Sequence, residues 1–345
     1  MKNNIIAIDP YIPTEHYIGA MINTYTNIGY TVVPLKMNTL PKSRYIMLNW
    51  FENISGRNTL YSLLIFFKKI VKLLIFLILL KKVIWTIHNK QPHRNELQNN
   101  FSLFLSKIIM LILLKFSYKV LVHSKITYNY YNVKFHNKFV YVPHPNCINY
   151  YGAINENNSL TDSKLKLLFF GNIIEYKNLD ILIDAIKELN FSDIELSIVG
   201  NISDRYKSII NKKIENYPLI TCTFKYIPNE EIPSILSNCH LLVVPFDIES
   251  CYNASTIILA FSYMRSVLCT KIGTVIDIDD NNIFFSYNYS NPSEHKQKII
   301  ENIVKIRNKY LNKYNDILEL GYQCYLNIKN NNDQKVISNS IKTIF

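Results

Sequence analysis

Hydrophobic positions along the 345-residue chain fall into short unbroken runs, separated by longer stretches in which apolar residues recur at helical spacing. In the first 150 residues the runs NIIAI, TVVPL and YIMLNW lead to a long apolar helical stretch and then to KVIWTI. FSLFLSKIIMLILLKF reads as a further helix, and YKVLVHS and KFVYVPHP as further strands. Short runs rich in Val and Ile predict strands buried on both faces, and their alternation with helices predicts a parallel α/β sheet. The polar, turn-rich segment NYYGAINENNSLTDSK interrupts this pattern and marks a domain boundary. The alternation restarts at LKLLFFGN and continues through IELSIVGN, LITCTF, HLLVVPF and SVLCT with helical stretches between them, and from Pro292 the chain is mostly helical. The predicted fold is α/β, with two doubly wound domains over residues 1–155 and 160–320. A helical segment over 321–345 is expected to pack back towards the first domain. Ligands are expected beyond the carboxyl ends of the strands, in a cleft between the domains.

Three stretches carry polar chemistry at such strand ends. In VIWTIHNKQPH a buried strand stops at His88 and Asn89, groups that are costly to desolvate unless they are bonded or used. A capping or supporting histidine would occupy the same place. His16, in the loop after the first strand, is a second candidate for the same cleft. In LFFGNIIEYKNLDILIDAI a strand runs to Gly171, a short loop carries Lys177, and an amphipathic helix follows. Glycine allows close backbone approach, lysine is a point charge and a helix N-terminus attracts anions, so the loop suits a diphosphate. In VPFDIESCYNASTIILAFSYM a strand leads through Asp247, Glu249 and Ser250 to a helix start near Asn253, Ser255 and Thr256. Those residues are read either as caps or as a phosphate-facing helix start.

Composition and charge narrow the partners. With 48% hydrophobic and 19% charged residues the chain is globular. Six cysteines are scattered without CxxC or zinc-type spacing, so a reduced, cytoplasmic compartment and no metal site are expected. No secretory signal is read at the N-terminus, since residues 1–8 form a strand. Residues 1–150 carry 18 Lys and Arg against 4 Asp and Glu, net +14, whereas residues 151–345 carry 20 against 22, net −2. The first half is therefore expected to face an anionic partner. Its basic residues are interleaved with aliphatic runs and not gathered on a reading helix, which favours an anionic membrane surface over nucleic acid. Lysine richness of the coding sequence is the competing explanation, but it does not account for acidic residues being scarce in one half only. LYSLLIFFKKIVKLLIFLILL, residues 60–80, is interrupted by Lys68, Lys69 and Lys72. It reads as a buried or interfacial helix and not as a membrane span.

Taken together these stretches resemble the bacterial GT-B glycosyltransferases of the family 4 type that assemble capsule, exopolysaccharide or lipopolysaccharide. YIMLNWFEN, which contains Trp50, looks like that family's hxHWxE strand end, and VIWTIHNKQPH like its WTxHNxxPH segment. LLFFGNIIEYKNLDILIDAI resembles FxGxIxxYKGxxxLIxAF, and AFSYMRSVLCTKIG resembles AFxxGKPVIAxxxG. The resemblance implies two Rossmann-like domains and a UDP- or GDP-sugar donor as substrate, with no bound cofactor or metal. It also implies a lipid-linked glycan or polysaccharide acceptor at the cytoplasmic face of the inner membrane, and retention of anomeric configuration. Lys177 would neutralise the donor diphosphate. Gly171, Asn253, Ser255 and Thr256 would line the donor, His88 would meet the transferred sugar, and His16, Asn89 and Trp50 would face the acceptor or cleft. The departures fall at Asn172, where the family often has arginine, and at Cys251 and Leu259, where it has two glutamates. The Gly and Pro of GKPV are replaced by Met264 and Ser266. Glu249 is the candidate substitute for the first glutamate, and YNAST resembles the family's xNSGS variant. A catalytically silent partner subunit and a nucleotide-sugar epimerase are the alternative readings.

Overall fold

A computed structural model describes residues 4–55, 58–88, 100–133, 135, 137–154, 160, 164–278, 282–313 and 315–345. Asn89 lies outside the described residues. In chain order the elements begin β1 (Ile5–Asp9), α1 (His16–Asn27), β2 (Thr31–Pro34), β3 (Tyr45–Asn49), α2 (Thr59–Ile78), β4 (Lys82–Ile87), α3 (Asn100–Phe116), β5 (Lys119–Val122), α4 (Lys125–Asn132) and β6 (Phe139–Tyr141). They continue with β7 (Leu165–Phe170), a 3-10 turn (Glu175–Lys177), α5 (Leu179–Leu189), β8 (Ile194–Val199), α6 (Asp204–Ile214), β9 (Ile220–Thr223), α7 (Ile232–Ser237), β10 (Leu241–Val244) and α8 (Ser255–Ser262). The last are β11 (Ser266–Thr270), α9 (Gly273–Ile276), β12 (Phe285–Tyr287), α10 (Pro292–Asn312), α11 (Asn315–Asn331) and α12 (Gln334–Lys342).

Two six-stranded parallel sheets result, ordered β2-β1-β3-β4-β5-β6 and β12-β11-β10-β7-β8-β9. Strand β4 pairs with β3 and β5 and is covered on both faces, which is why KVIWTI is apolar almost throughout; Trp85 and Ile84 are wholly buried. The chain divides into two compact units. One comprises Met1–Pro145, Ser250–Asn253 and Gln334–Phe345, and the other Asn146–Glu249 and Ala254–Asp333. The tail thus splits. Helix α11 belongs to the second unit, while α12 lies along α1, with Gln334 Nε2 donating to the Ala20 carbonyl and to Thr24 Oγ1. Ile337, Ile341 and Ile344 complete the core around Tyr17, Ile18, Met21 and Tyr25.

Helix α2 departs from ordinary amphipathic packing. Its buried side chains are Ser62, Leu73 and Phe76, whereas Leu60, Leu64, Phe67, Val71, Leu74 and Ile78 are exposed. Spacings of four, three, four, three and four put these six on one side of the helix, so they form an apolar ridge in solvent. Among the described residues no helix is long and apolar enough to cross a membrane.

Candidate functional site

In the first unit, side chains gather where strands β3, β4, β5 and β6 end. His88 follows β4 directly, and its ring stacks on Trp50, with centroids 4.4 Å apart and planes 18° apart. Trp50 follows β3 with φ of 51°, in the left-handed region that costs a bulky residue about 1–3 kcal/mol. His88 Nε2 lies 3.2 Å from Asn49 Oδ1, which makes Nε2 the protonated nitrogen. Tyr17 stands edge-on to His88 at 4.8 Å and to His123 at 5.2 Å.

His16 is not in a loop. It is the first residue of α1, because Glu15 caps that helix by accepting from Ile18 N at 2.8 Å, and it is buried. His123 and His144, which the sequence reading passed over, join the same cluster just beyond β5 and β6. His123 Nδ1 donates to the Val142 carbonyl at 2.7 Å and Tyr17 Oη donates to Nε2 at 3.0 Å. Burial holds the His123 imidazole down to about 4. Burial, reinforced by His123 and His16, holds His144 down to about 3. His123 and His144 are therefore neutral near pH 7. The signal was available: VLVHS and VYVPH repeat the strand-then-histidine pattern of VIWTIH.

The second unit builds a separate site from backbone approach and one cation. Gly171 follows β7 with φ of 104°, and a Cβ placed on it would stand 3.5 Å from Lys177 Nζ and 3.9 Å from Thr256 Oγ1. Gly171, Lys177 and Thr256 therefore converge at the carboxyl end of β7. Lys177 ends the 3-10 turn, is 7% exposed, and holds its ammonium 4.9 Å from the Phe246 ring centroid. A buried ammonium beside an aromatic face is stabilised by the ring quadrupole. Asn178 turns the chain into α5 in the left-handed conformation, with Nδ2 donating to the Pro245 carbonyl at 3.0 Å.

Helix α8 is capped by Ala254 without a side-chain bond, so the capping reading of this segment does not hold; Ala254 N instead donates to Thr274 Oγ1 at 3.0 Å. Ser255, exposed, and Thr256, half-buried, form its first turn. Asn253 precedes the cap and groups with the first unit, where its amide nitrogen donates to the carbonyls of Tyr252 at 3.0 Å and His123 at 3.2 Å. Glu249 is exposed, and its backbone N–H donates to Asp247 Oδ1 at 3.3 Å. Tyr289 Oη donates to the same oxygen at 3.0 Å and stacks on buried His295 at 4.0 Å, which braces the loop before Glu249. Cys251 donates its thiol to the Asn253 carbonyl and Leu259 is buried within α8. Among the described residues no group of three His, Cys, Asp or Glu is arranged to hold a metal ion.

Residues 153–309 match the family described as Glycosyl transferases group 1. A GDP-mannose:glycolipid 4-beta-D-mannosyltransferase of Xanthomonas campestris pv. campestris is 28% identical over 104 residues, 30% of this chain and 29% of that protein. An uncharacterized glycosyltransferase of Methanocaldococcus jannaschii, MJ1178, is 31% identical over 136 residues, 39% of this chain and 37% of that one. The matches thus span well under half the length of either relative. The crystal structure of Anabaena Alr3699/HepE in complex with UDP and glucose superposes with a TM-score of 0.68 at 12% identity, covering 99% of this chain and 98% of that one.

Proposed function

We propose, for a chain of GT-B fold whose residues 153–309 form a group 1 glycosyl transferase domain, that it moves a sugar from a nucleotide-sugar to a lipid-linked glycan or polysaccharide acceptor. The observation that carries this reading is the convergence of Gly171, Lys177 and Thr256 within that domain. The glycine lets a diphosphate approach the backbone, Lys177 neutralises it, and the first turn of α8 adds N–H donors and the Ser255 and Thr256 hydroxyls. Charge grows on the departing nucleotide as the glycosidic bond breaks, and a preplaced cation stabilises it at no cost of reorganisation. His88, held by Asn49 and Trp50, contacts the transferred sugar; Glu249 is the candidate carboxylate near it. Transfer retains anomeric configuration, as the family resemblance implies.

The membrane side of the reading rests on the net +14 of residues 1–150 and the exposed apolar ridge of α2. Charge and apolar surface together suit the cytoplasmic face of an anionic bilayer, to which the protein binds peripherally. The Xanthomonas relative is named for GDP-mannose and a glycolipid, and the Anabaena structure holds UDP, so the base is read by experiment. Calorimetric titration of the protein with UDP, GDP, ADP and CMP is expected to show binding of one nucleoside diphosphate. Lys177→Ala, folded by circular dichroism, should weaken it at least about tenfold, a loss of about 1.4 kcal/mol. Cys251 and Leu259 at the two glutamate positions favour one second reading, a silent partner subunit. No nucleotide binding by the folded protein would favour it over transfer.

A further inference from the structure

The first unit holds a cavity that the donor site does not use. It has a volume of about 390 Å³ and is lined by Asp9, Asn49, Trp50, Lys68, Lys69 and Lys72 among others. Asp9 and Asn49 are the last residues of β1 and β3. In the order β2-β1-β3-β4 the chain leaves β1 towards β2 on one side and returns as β3 on the other. The cavity therefore opens at the switch point of the sheet, where doubly wound folds bind ligands.

Its chemistry is that of an oxyanion site. Lys69 donates two of its three N–H groups to the carbonyls of Phe51 and Asn53, both at 2.6 Å, and among the described residues the third meets no acceptor. Lys72 makes an ion pair with Asp9 at 3.3 Å, and Lys68 is exposed beside it. Among the described residues Asp9 is the one carboxylate in the lining, against three ammonium groups. Glu52 lies behind Lys69, buried and bonded to Trp85 Nε1 at 3.0 Å. The cavity lining also contains Asn49, 2% exposed, whose Nδ2 has no hydrogen-bond partner among the described residues. A buried amide left unbonded is costly.

What carries the oxyanion follows from α2. Lys68 and Lys72 flank the exposed ridge of Leu64, Phe67 and Val71 on the same helix. An ammonium beside an apolar ridge sits at the level of lipid phosphates when the ridge enters a bilayer. We infer that this cavity holds the phosphate or diphosphate group of a lipid-borne acceptor, with its hydrocarbon chain running along the α2 ridge. The inference rests on the proposed transferase reading and names the acceptor class for it: a lipid whose glycan is joined through phosphate.

The test separates this site from the donor site by working in Lys177→Ala, where the donor anion site is weakened. Calorimetry of that variant with geranyl diphosphate and with inorganic diphosphate should show both binding, geranyl diphosphate at least tenfold tighter. Adding Lys68→Gln and Lys72→Gln, or Asn49→Asp alone, should weaken geranyl diphosphate at least tenfold while the melting temperature stays within a few degrees of the parent. Unchanged binding in both sets of variants, or no binding in Lys177→Ala, overturns the site. Equal affinity for the two diphosphates overturns the lipid-borne source and leaves a site for free phosphate. Nucleotide titration reads Lys177, and geranyl diphosphate in its absence reads Lys68, Lys72 and Asn49, so either reading can fail without the other.

Discussion

Gly200 closes β8 with φ of 151°, and a methyl group there would overlap the carbonyl of Gly171. The two glycines let the chain just beyond β7 and β8 touch backbone to backbone. Gly200→Ala is expected to cost about 2–3 kcal/mol through overpacking of backbone that cannot yield, read by chemical denaturation. The same variant should weaken nucleotide binding, since the loop carrying Lys177 would shift. At this scale the sequence was informative where a residue type has few structural uses. Gly171 and Lys177 could be picked out because a glycine at a strand end and a lysine before an amphipathic helix suit one kind of ligand. His123 and His144 follow the same strand-then-polar pattern as His88 and were passed over because their flanking segments are less distinctive. His16 was legible as a residue but not as the start of α1, since Pro13, Thr14 and Glu15 read as a loop until Glu15 is known to accept from Ile18 N.

Among the elements, α2 shows how far periodicity reaches. Its length and apolar character were plain, and the three lysines argued against a span, but a helix apolar on nearly every side has no face that sequence alone can orient. Packing decides the matter: Leu73 and Phe76 enter the core and the Leu60–Leu64–Phe67–Val71 side is left in solvent. Leu64→Asp with Val71→Asp should reduce binding to phosphatidylglycerol vesicles by about a hundredfold in flotation. Two aliphatic side chains at about 1.5–3 kcal/mol each would no longer be buried in the bilayer. Far-ultraviolet circular dichroism should be unchanged, since both positions are already exposed. Vesicle binding by the parent should weaken as salt rises, because lysine attraction to lipid phosphate is screened over a few ångströms to tens of ångströms.

On the scale of the whole molecule the histidine cluster links stability to pH. His123 titrates near 6.5 when unfolded and is held down to about 4 when folded, so the unfolded chain binds the extra proton between those values. Stability is therefore full above pH 6.5 and falls as pH drops towards 4. His123 alone contributes on the order of 3 kcal/mol at about 1.36 kcal/mol per pH unit. The melting temperature should fall steadily from pH 7 to pH 4.5, and His123→Gln should flatten that slope by about one proton.

The alternation of apolar strands and helices determined by itself that the chain is α/β with parallel sheets, because strand burial on both faces leaves a continuous hydrophobic signature. It also determined which strand ends carry polar chemistry, since His88, Gly171 and Lys177 interrupt that signature. Only the tertiary structure decided which distant segments share a unit. Ser250–Asn253 and Gln334–Phe345 group with the first sheet, although more than a hundred residues of chain precede each after Pro145 or thereabouts. It likewise decided that Asn253 binds the His123 carbonyl and that Asp9, Asn49 and Lys72 line one cavity. The reason is physical: hydrophobic pattern is a local property of the chain, whereas the pairing of buried polar groups is settled by whichever partner packing brings within about 3 Å.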